Sequence, residues 1–181
     1  MKKFQPNGSK RYIVTGPQRS GTTLSGKIIA HETNYRYIDE FDFAVADKAA
    51  FMAFAKLDNV VVHCPALMRW ITDVADKDTC IVVIMRPIEE IINSQRRIRW
   101  GQEEDELAKY GLRSSGRNIS EVKYEYWESV QKEMVPNYME VDYHSWESHH
   151  MWVEDALREK FRPKQTRIGK IEVLKKKIKH L

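Results

Sequence analysis

Arg11-Tyr12-Ile13-Val14-Thr15-Gly16-Pro17-Gln18-Arg19-Ser20-Gly21-Thr22-Thr23 is the stretch on which the reading of this chain turns. Arg11–Thr15 reads as a strand, closed by the Gly16-Pro17 turn. A helical pattern with Leu24, Ile28 and Ile29 on one side begins at Thr22. Strand, glycine turn and helix in that order form a setting in which a loop cradles an anion. Backbone N–H groups point into the turn, and the positive end of the helix dipole faces the bound charge.

Further along the chain, apolar runs alternate with helical patterns. Short strands are expected at Tyr35–Ile38 and Asn59–His63. Cys80–Met85 is a continuous apolar run that reads as a central strand buried on both faces. Asp47–Leu57, Pro65–Asp76 and Pro87–Trp100 read as helices, the last two with proline in the first turn. Beyond Gly101 come polar helical stretches, Glu103–Tyr110 and Ser120–Met134, then a strand at Tyr138–Val141 and a helix from Ser145 to Phe161. The expectation is an α/β fold of three layers around a central, mainly parallel sheet. It forms one domain over residues 1–181, with a helical insertion at about 101–136 and a basic C-terminal helix at about 168–181.

The 181 residues suit a single core, with 42% hydrophobic and 31% charged residues. No run is long enough to cross a bilayer, and no apolar leader follows the N-terminal lysines. The two cysteines, Cys64 and Cys80, make no disulfide framework, so a reduced, cytoplasmic setting is expected. Thirty basic residues against 26 acidic ones leave a net charge of +4, spread along the chain. That balance suits an anionic small molecule as well as a nucleic acid, and a nucleic-acid partner is not expected.

Gly16 and Gly21 have the glycine spacing of a Walker A loop, but Thr22-Thr23 stands where that motif has Lys-Ser/Thr. The lysine normally reaches the outer phosphates of a nucleoside triphosphate. Neither of the apolar runs ending at His63 and Arg86 offers an aspartate for magnesium. Both departures argue against a magnesium–ATP enzyme.

The core Arg19-Ser20-Gly21-Thr22-Thr23, followed by Leu24, resembles the 5′-phosphosulfate loop of the sulfotransferases. It is closest in style to the tyrosylprotein sulfotransferase-like and the bacterial and viral members. Gln18 departs from the proline common there. The resemblance implies a P-loop NTPase-like fold and a donor, 3′-phosphoadenosine 5′-phosphosulfate (PAPS), held without a metal. It also implies a donor site comprising Gln18, Arg19, Ser20, Gly21, Thr22 and Thr23. In this family an arginine ending a buried strand and a serine eight positions later hold the donor's 3′-phosphate. Arg86 and Ser94 have that spacing and place. Arginine suits the task because its planar fork binds phosphate bidentately and stays charged.

For chemistry, the resemblance assigns Arg19 to charge stabilisation at the bridging oxygen. Glu40, following the strand Tyr35–Ile38, is the first candidate for the base, beside Asp39 and Asp42. His63, at the end of a strand and before Cys64-Pro65, is an alternative base. Tyr143 resembles a tyrosine near the family's cofactor, one of Arg96, Arg97 and Arg99 can also reach the 3′-phosphate, and Arg167–Lys170 loosely echoes a C-terminal basic-glycine loop. His144, His149 and His150 fit no zinc spacing. The expected reaction is transfer of a sulfuryl group to a hydroxyl of a small molecule, glycan or peptide. The other readings are a P-loop nucleotide kinase with a degenerate Walker A loop, and a non-catalytic nucleotide- or nucleic-acid-binding protein.

Overall fold

A computed structural model describes residues 4–43, 47–101, 103–112 and 116–153. Five strands form one sheet: β1 (Arg11–Thr15), β2 (Arg36–Ile38), β3 (Val60–His63), β4 (Thr79–Met85) and β5 (Tyr138–Asp142), in the order β2-β3-β1-β4-β5. Every neighbouring pair is parallel, and Ile13 lies between Val62 and Ile81 at the centre of the sheet. This is the α/β, P-loop-type sheet expected from the alternation of apolar runs and helices. Parallel neighbours need crossovers, and helices supply them: α1 (Thr22–Thr33), α2 (Lys48–Phe54) and α3 (Ile88–Arg97).

Both sheet faces are covered. Ile13, Val62, Ile81 and Val83 pack with Phe51, Leu67, Ile71 and Trp127 on one side. Tyr12, Val14, Val61, Val82 and Ile84 are buried on the other, where α1 packs on β1, β2 and β3. Burial on both faces is the reason these strands are continuously apolar rather than alternating.

The insertion follows α3 and precedes β5. It consists of α4 (Glu103–Ala108), α5 (Ile119–Tyr126), a π-helical turn at Trp127–Gln131 and α6 (Lys132–Met134). The Asn118 side chain caps α5 by accepting from the Ser120 amide. Pro65–Asp76, expected to be an α-helix, is instead a run of 3-10 turns over Pro65–Asp73, kinked at Leu67. The physical reason is competition for carbonyls: those of Pro65, Ala66, Met68 and Arg69 accept from the side chains of Lys123, Lys109 and Gln131. Likewise, a single 3-10 turn at Tyr143–Trp146 stands where a helix from Ser145 was expected. Its expected continuation beyond 153, the basic C-terminal helix and Arg167–Lys170 lie outside the described residues. The chain groups into two compact units, Met1–His150 and Met151–Leu181. Among the described residues no helix is long and apolar enough to cross a membrane.

Candidate active site

The loop Gly16–Thr23 joins the carboxyl end of β1 to α1, and its two glycines are fixed by what surrounds them. At Gly16 (φ 145) a Cβ would lie 2.8 Å from Ser20 Oγ and 3.0 Å from the Ile84 carbonyl. At Gly21 (φ 96) it would lie 2.2 Å from the ring of Tyr143. Arg19 also sits in the left-handed region, φ 77, a conformation costly for a residue with a side chain and concentrated at functional sites. Gly21 caps α1 without a side-chain bond, leaving the first amides of a three-turn helix at the loop.

Two side chains from the loop's neighbours in the fold, Ser94 and Arg86, meet at Arg19. Its Nε donates to Ser94 Oγ over 3.0 Å, and its carbonyl accepts from a terminal nitrogen of Arg86 over 3.1 Å. Arg97 also points at Ser94 Oγ, at 3.4 Å. Ser94 is fully buried, on the inner face of α3 one residue from Gln95, whose amide donates to the Gln18 carbonyl. The strand-end arginine and the serine eight positions later therefore do converge on the loop, and of the three following arginines Arg97 is the one that joins them. Arg96 is exposed on α3 and lines two shallow hollows of about 210 and 320 Å³, while Arg99, two residues beyond the end of α3, lines only the first. None of Arg19, Glu40, His63, Arg86 and Ser94 lines either hollow.

Arg86 is held rigidly. Its Nε donates to Glu90 over 3.0 Å, its guanidinium stacks 4.1 Å from the Tyr143 ring centre, and its amide donates to the Tyr124 hydroxyl. Burial works against the Glu90 carboxylate, but hydrogen bonds from Arg86 and His144 outweigh it and hold Glu90 below its ordinary range. Tyr143 is itself buried, so it acts here as the platform under Arg86 and the wall against Gly21.

The other end of the loop meets β2 and β3. His63 Nε2 lies 2.9 Å from Thr22 Oγ1 and 3.4 Å from Thr23 Oγ1, with Nδ1 3.8 Å from Asp39 and the ring stacked on Tyr37. The Tyr37 hydroxyl donates to Asp39 over 2.9 Å. Glu40 starts the 3-10 turn Glu40–Phe43. Burial, and then the Asp39 charge, push its carboxyl up to about 7, opposed by the Ala66 amide and by Lys123. Its Oε2 is buried with no hydrogen-bond partner in the protein. A carboxyl with that midpoint is half-ionised near neutral pH, which suits a general base. Asp42, the other carboxylate considered, accepts from the Asp39 amide and closes the turn.

The sequence reading missed the support that the insertion supplies. Lys123 of α5 is buried, and its ammonium reaches Gln18 Oε1, the Pro65 carbonyl at 3.0 Å and Glu106 of α4 at 2.9 Å. Gln18, the departure from the family's proline, is thus bound on both its side chain and its carbonyl. No signal in the sequence marks Lys123, because it lies in a stretch whose polar composition reads as a solvated helix face. Cys64 and Cys80 are free, buried thiols, and burial raises both above the ordinary thiol value. Among the described residues no three His, Cys, Asp or Glu side chains are grouped to hold a metal ion.

No protein-family model matches the sequence, and no curated protein matches it. Solved structures with a similar chain path include a shikimate kinase from Acinetobacter baumannii in complex with shikimate, at 11% identity and TM-score 0.49 over 74% of this chain and 84% of that one. A sugar kinase from Janibacter sp. HTCC2649 matches at 14% identity and TM-score 0.47 over 75% of this chain and 86% of that one. A gluconokinase from Sinorhizobium meliloti 1021 matches at 16% identity and TM-score 0.38 over 76% and 84%. Likeness at this level describes the path of the chain and says nothing of ligand or reaction.

Proposed function

We propose that this chain is a sulfotransferase that moves a sulfuryl group from PAPS to a hydroxyl acceptor. The observation that carries the reading is the meeting of Arg86 and Ser94 with Arg19 of the loop. It puts a second anion-binding set beside the first, which a donor bearing both a 5′- and a 3′-phosphate needs. The two close-packed glycines and the helix N-terminus fit the 5′ end. Arg86, Ser94 and Arg97 fit the 3′-phosphate.

When bound, PAPS supplies an activated sulfuryl group and a phosphate that leaves. The protein's own part is charge and proton management. Loop amides and Arg19 would hold the 5′ end of the donor and offset the negative charge of a departing phosphate. Glu40, with its unpartnered oxygen and a midpoint near neutrality, takes the acceptor's hydroxyl proton as that oxygen bonds to sulfur and the bridging bond breaks. His63, tied to Thr22 and Thr23, orients the loop's hydroxyls, which leaves Glu40 the better placed base.

The second reading, a nucleotide-dependent kinase, is favoured by the Walker A spacing of Gly16 and Gly21. The residues speak against it: Thr22 holds the Walker lysine's position, β3 ends in His63, and Arg86 is the residue that follows β4. Thermal stabilisation by PAP against AMP, ADP and ATP–magnesium separates the two. PAP at 100 times its dissociation constant raises stability by about 2.7 kcal/mol, with AMP and ADP well below it. Equal shifts with PAP and ADP would remove the 3′-phosphate site, and a magnesium-dependent shift with ATP alone would establish the kinase.

A further inference from the structure

Lys123 is a buried cation that the chemistry above does not use, and its surroundings define its state. Three oxygens surround the nitrogen: Gln18 Oε1 in the anion loop, the Pro65 carbonyl after β3, and a Glu106 carboxylate oxygen on α4. Burial pulls the Lys123 amine below its ordinary value and Glu106 opposes that pull, while the three facing oxygens match the three donors of an ammonium. Glu106 is held on its other side by Lys109, whose ammonium also reaches the Ala66 carbonyl at 3.5 Å. Burial alone would raise Glu106, yet the charges of Lys123 and Lys109 keep it below the ordinary carboxylate value. The Pro65–Ala66 turn is the common member: its carbonyls face the two lysines, and the Ala66 amide faces Glu40.

We propose that Lys123 is a positioning residue that locks the helical insertion to the anion loop at Gln18 and to the Pro65–Ala66 turn behind Glu40, holding loop and base in register. The proposal rests on the reading of Glu40 as base and of the loop as donor site. It explains why the loop carries glutamine at position 18, since an amide oxygen can accept from Lys123 where proline offers none. It also gives the insertion a task inside the site rather than at its edge.

The charged and titratable groups that act on Glu40 are Asp39 beside it, and Lys123 and Glu106 from the insertion. The Cys64 thiol lies within reach of its charge as well. Lys123 favours the ionised carboxylate, and the two acidic groups oppose it. The test uses Lys123→Met, in which Glu106 keeps Lys109, and Lys123→Met/Glu106→Gln, which leaves no buried charge unpaired should the single variant fold poorly. Carbon-13 NMR follows the Glu40 carboxyl through pH without any substrate, and PAP affinity is measured alongside. In Lys123→Met the Glu40 midpoint moves upward from its wild-type value and PAP binds roughly tenfold more weakly. The double variant shows the same changes with a smaller midpoint shift, because Glu106 no longer opposes ionisation. Gln18→Leu breaks the loop arm alone, weakening PAP by a similar factor while Glu40 titrates as in the wild type. A folded Lys123→Met or double variant with wild-type PAP affinity and an unmoved Glu40 midpoint overturns the proposal. Failure of the wild type to bind PAP removes the donor reading instead, and the Glu40 midpoint then decides on Lys123 by itself.

Discussion

The two ends of the loop are built in opposite ways. At Arg19, Arg86 and Ser94 positive charge is concentrated and held by rigid partners, with Glu90 and Tyr143 fixing the Arg86 guanidinium. At Glu40 a carboxylate is withdrawn from water, left with one unpartnered oxygen and steadied by a distant lysine. The first end suits an anion that arrives charged and stays charged. The second suits a group that must change its charge during a reaction. Binding and turnover should therefore separate cleanly between them.

The strongest test of that separation is Glu40→Gln, which keeps shape and removes the proposed base. Turnover with any competent hydroxyl acceptor falls by about a thousandfold, while PAP affinity stays within about twofold of the wild type. Loss of both together would merge the two ends into one. Next comes Gly21→Ala, where a left-handed backbone and a Cβ 2.2 Å from the Tyr143 ring combine. Thermal and denaturant unfolding should show a loss of about 3–4 kcal/mol, with PAP stabilisation lost as the loop shifts away from Arg86.

The Glu40 end carries its own pH signature. The folded protein holds this proton more tightly than the unfolded chain, with a midpoint near 7 against 4.5. Its influence is least unfavourable below pH 4.5, and stability declines as pH rises from there through about 7. Glu40→Gln removes that decline and is more stable than the wild type at pH 8, by up to about 3 kcal/mol in denaturant unfolding. A variant with an unchanged pH–stability curve would place the raised carboxyl elsewhere. At the other end, Arg86→Ala weakens PAP about thirtyfold by titration calorimetry and leaves AMP binding nearly unchanged. An equal loss for both ligands would sever Arg86 from the 3′-phosphate.

The smallest effect concerns the outer support of Arg86. His144 is raised above its ordinary value by Glu147 first and also by Glu90, against the pull of burial. That stabilisation is complete below the unfolded histidine value and fades as pH rises through the folded one. The group is substantially exposed, so His144→Gln should cost less than about 0.5 kcal/mol at pH 6 and still less at pH 9, read from melting temperatures. A larger loss would mean that the Glu90–His144 contact matters to the rigidity of Arg86.

Legibility followed the range of the interactions involved. The β1–loop–α1 unit could be read because its signals are consecutive: an apolar strand, two glycines at fixed spacing, and a helical pattern. Arg86 and Ser94 could be picked out because they share the place and spacing of a pair in the sulfotransferases that this sequence resembles. Pro65–Asp76 read as a helix, with proline in its first turn. Its 3-10 form depends on Lys109, Lys123 and Gln131 arriving from far along the chain. The resemblance pointed to Tyr143, but its place under Arg86 and against Gly21 needed the packing.

By itself the sequence determined an α/β fold around a mainly parallel sheet and a strand–glycine turn–helix unit at Gly16–Thr23, because periodicity and spacing are local properties of a chain; the candidate pair Arg86 and Ser94 came from the resemblance to the sulfotransferases. Only the tertiary structure decided that Arg97 joins Ser94 and that Lys123 stands behind both Gln18 and Glu40. It also decided that a carboxyl in an acidic turn is buried deeply enough to titrate near neutrality. Those outcomes depend on which distant groups share a low-dielectric interior, and electrostatics there is set by distance in space and not by distance in sequence.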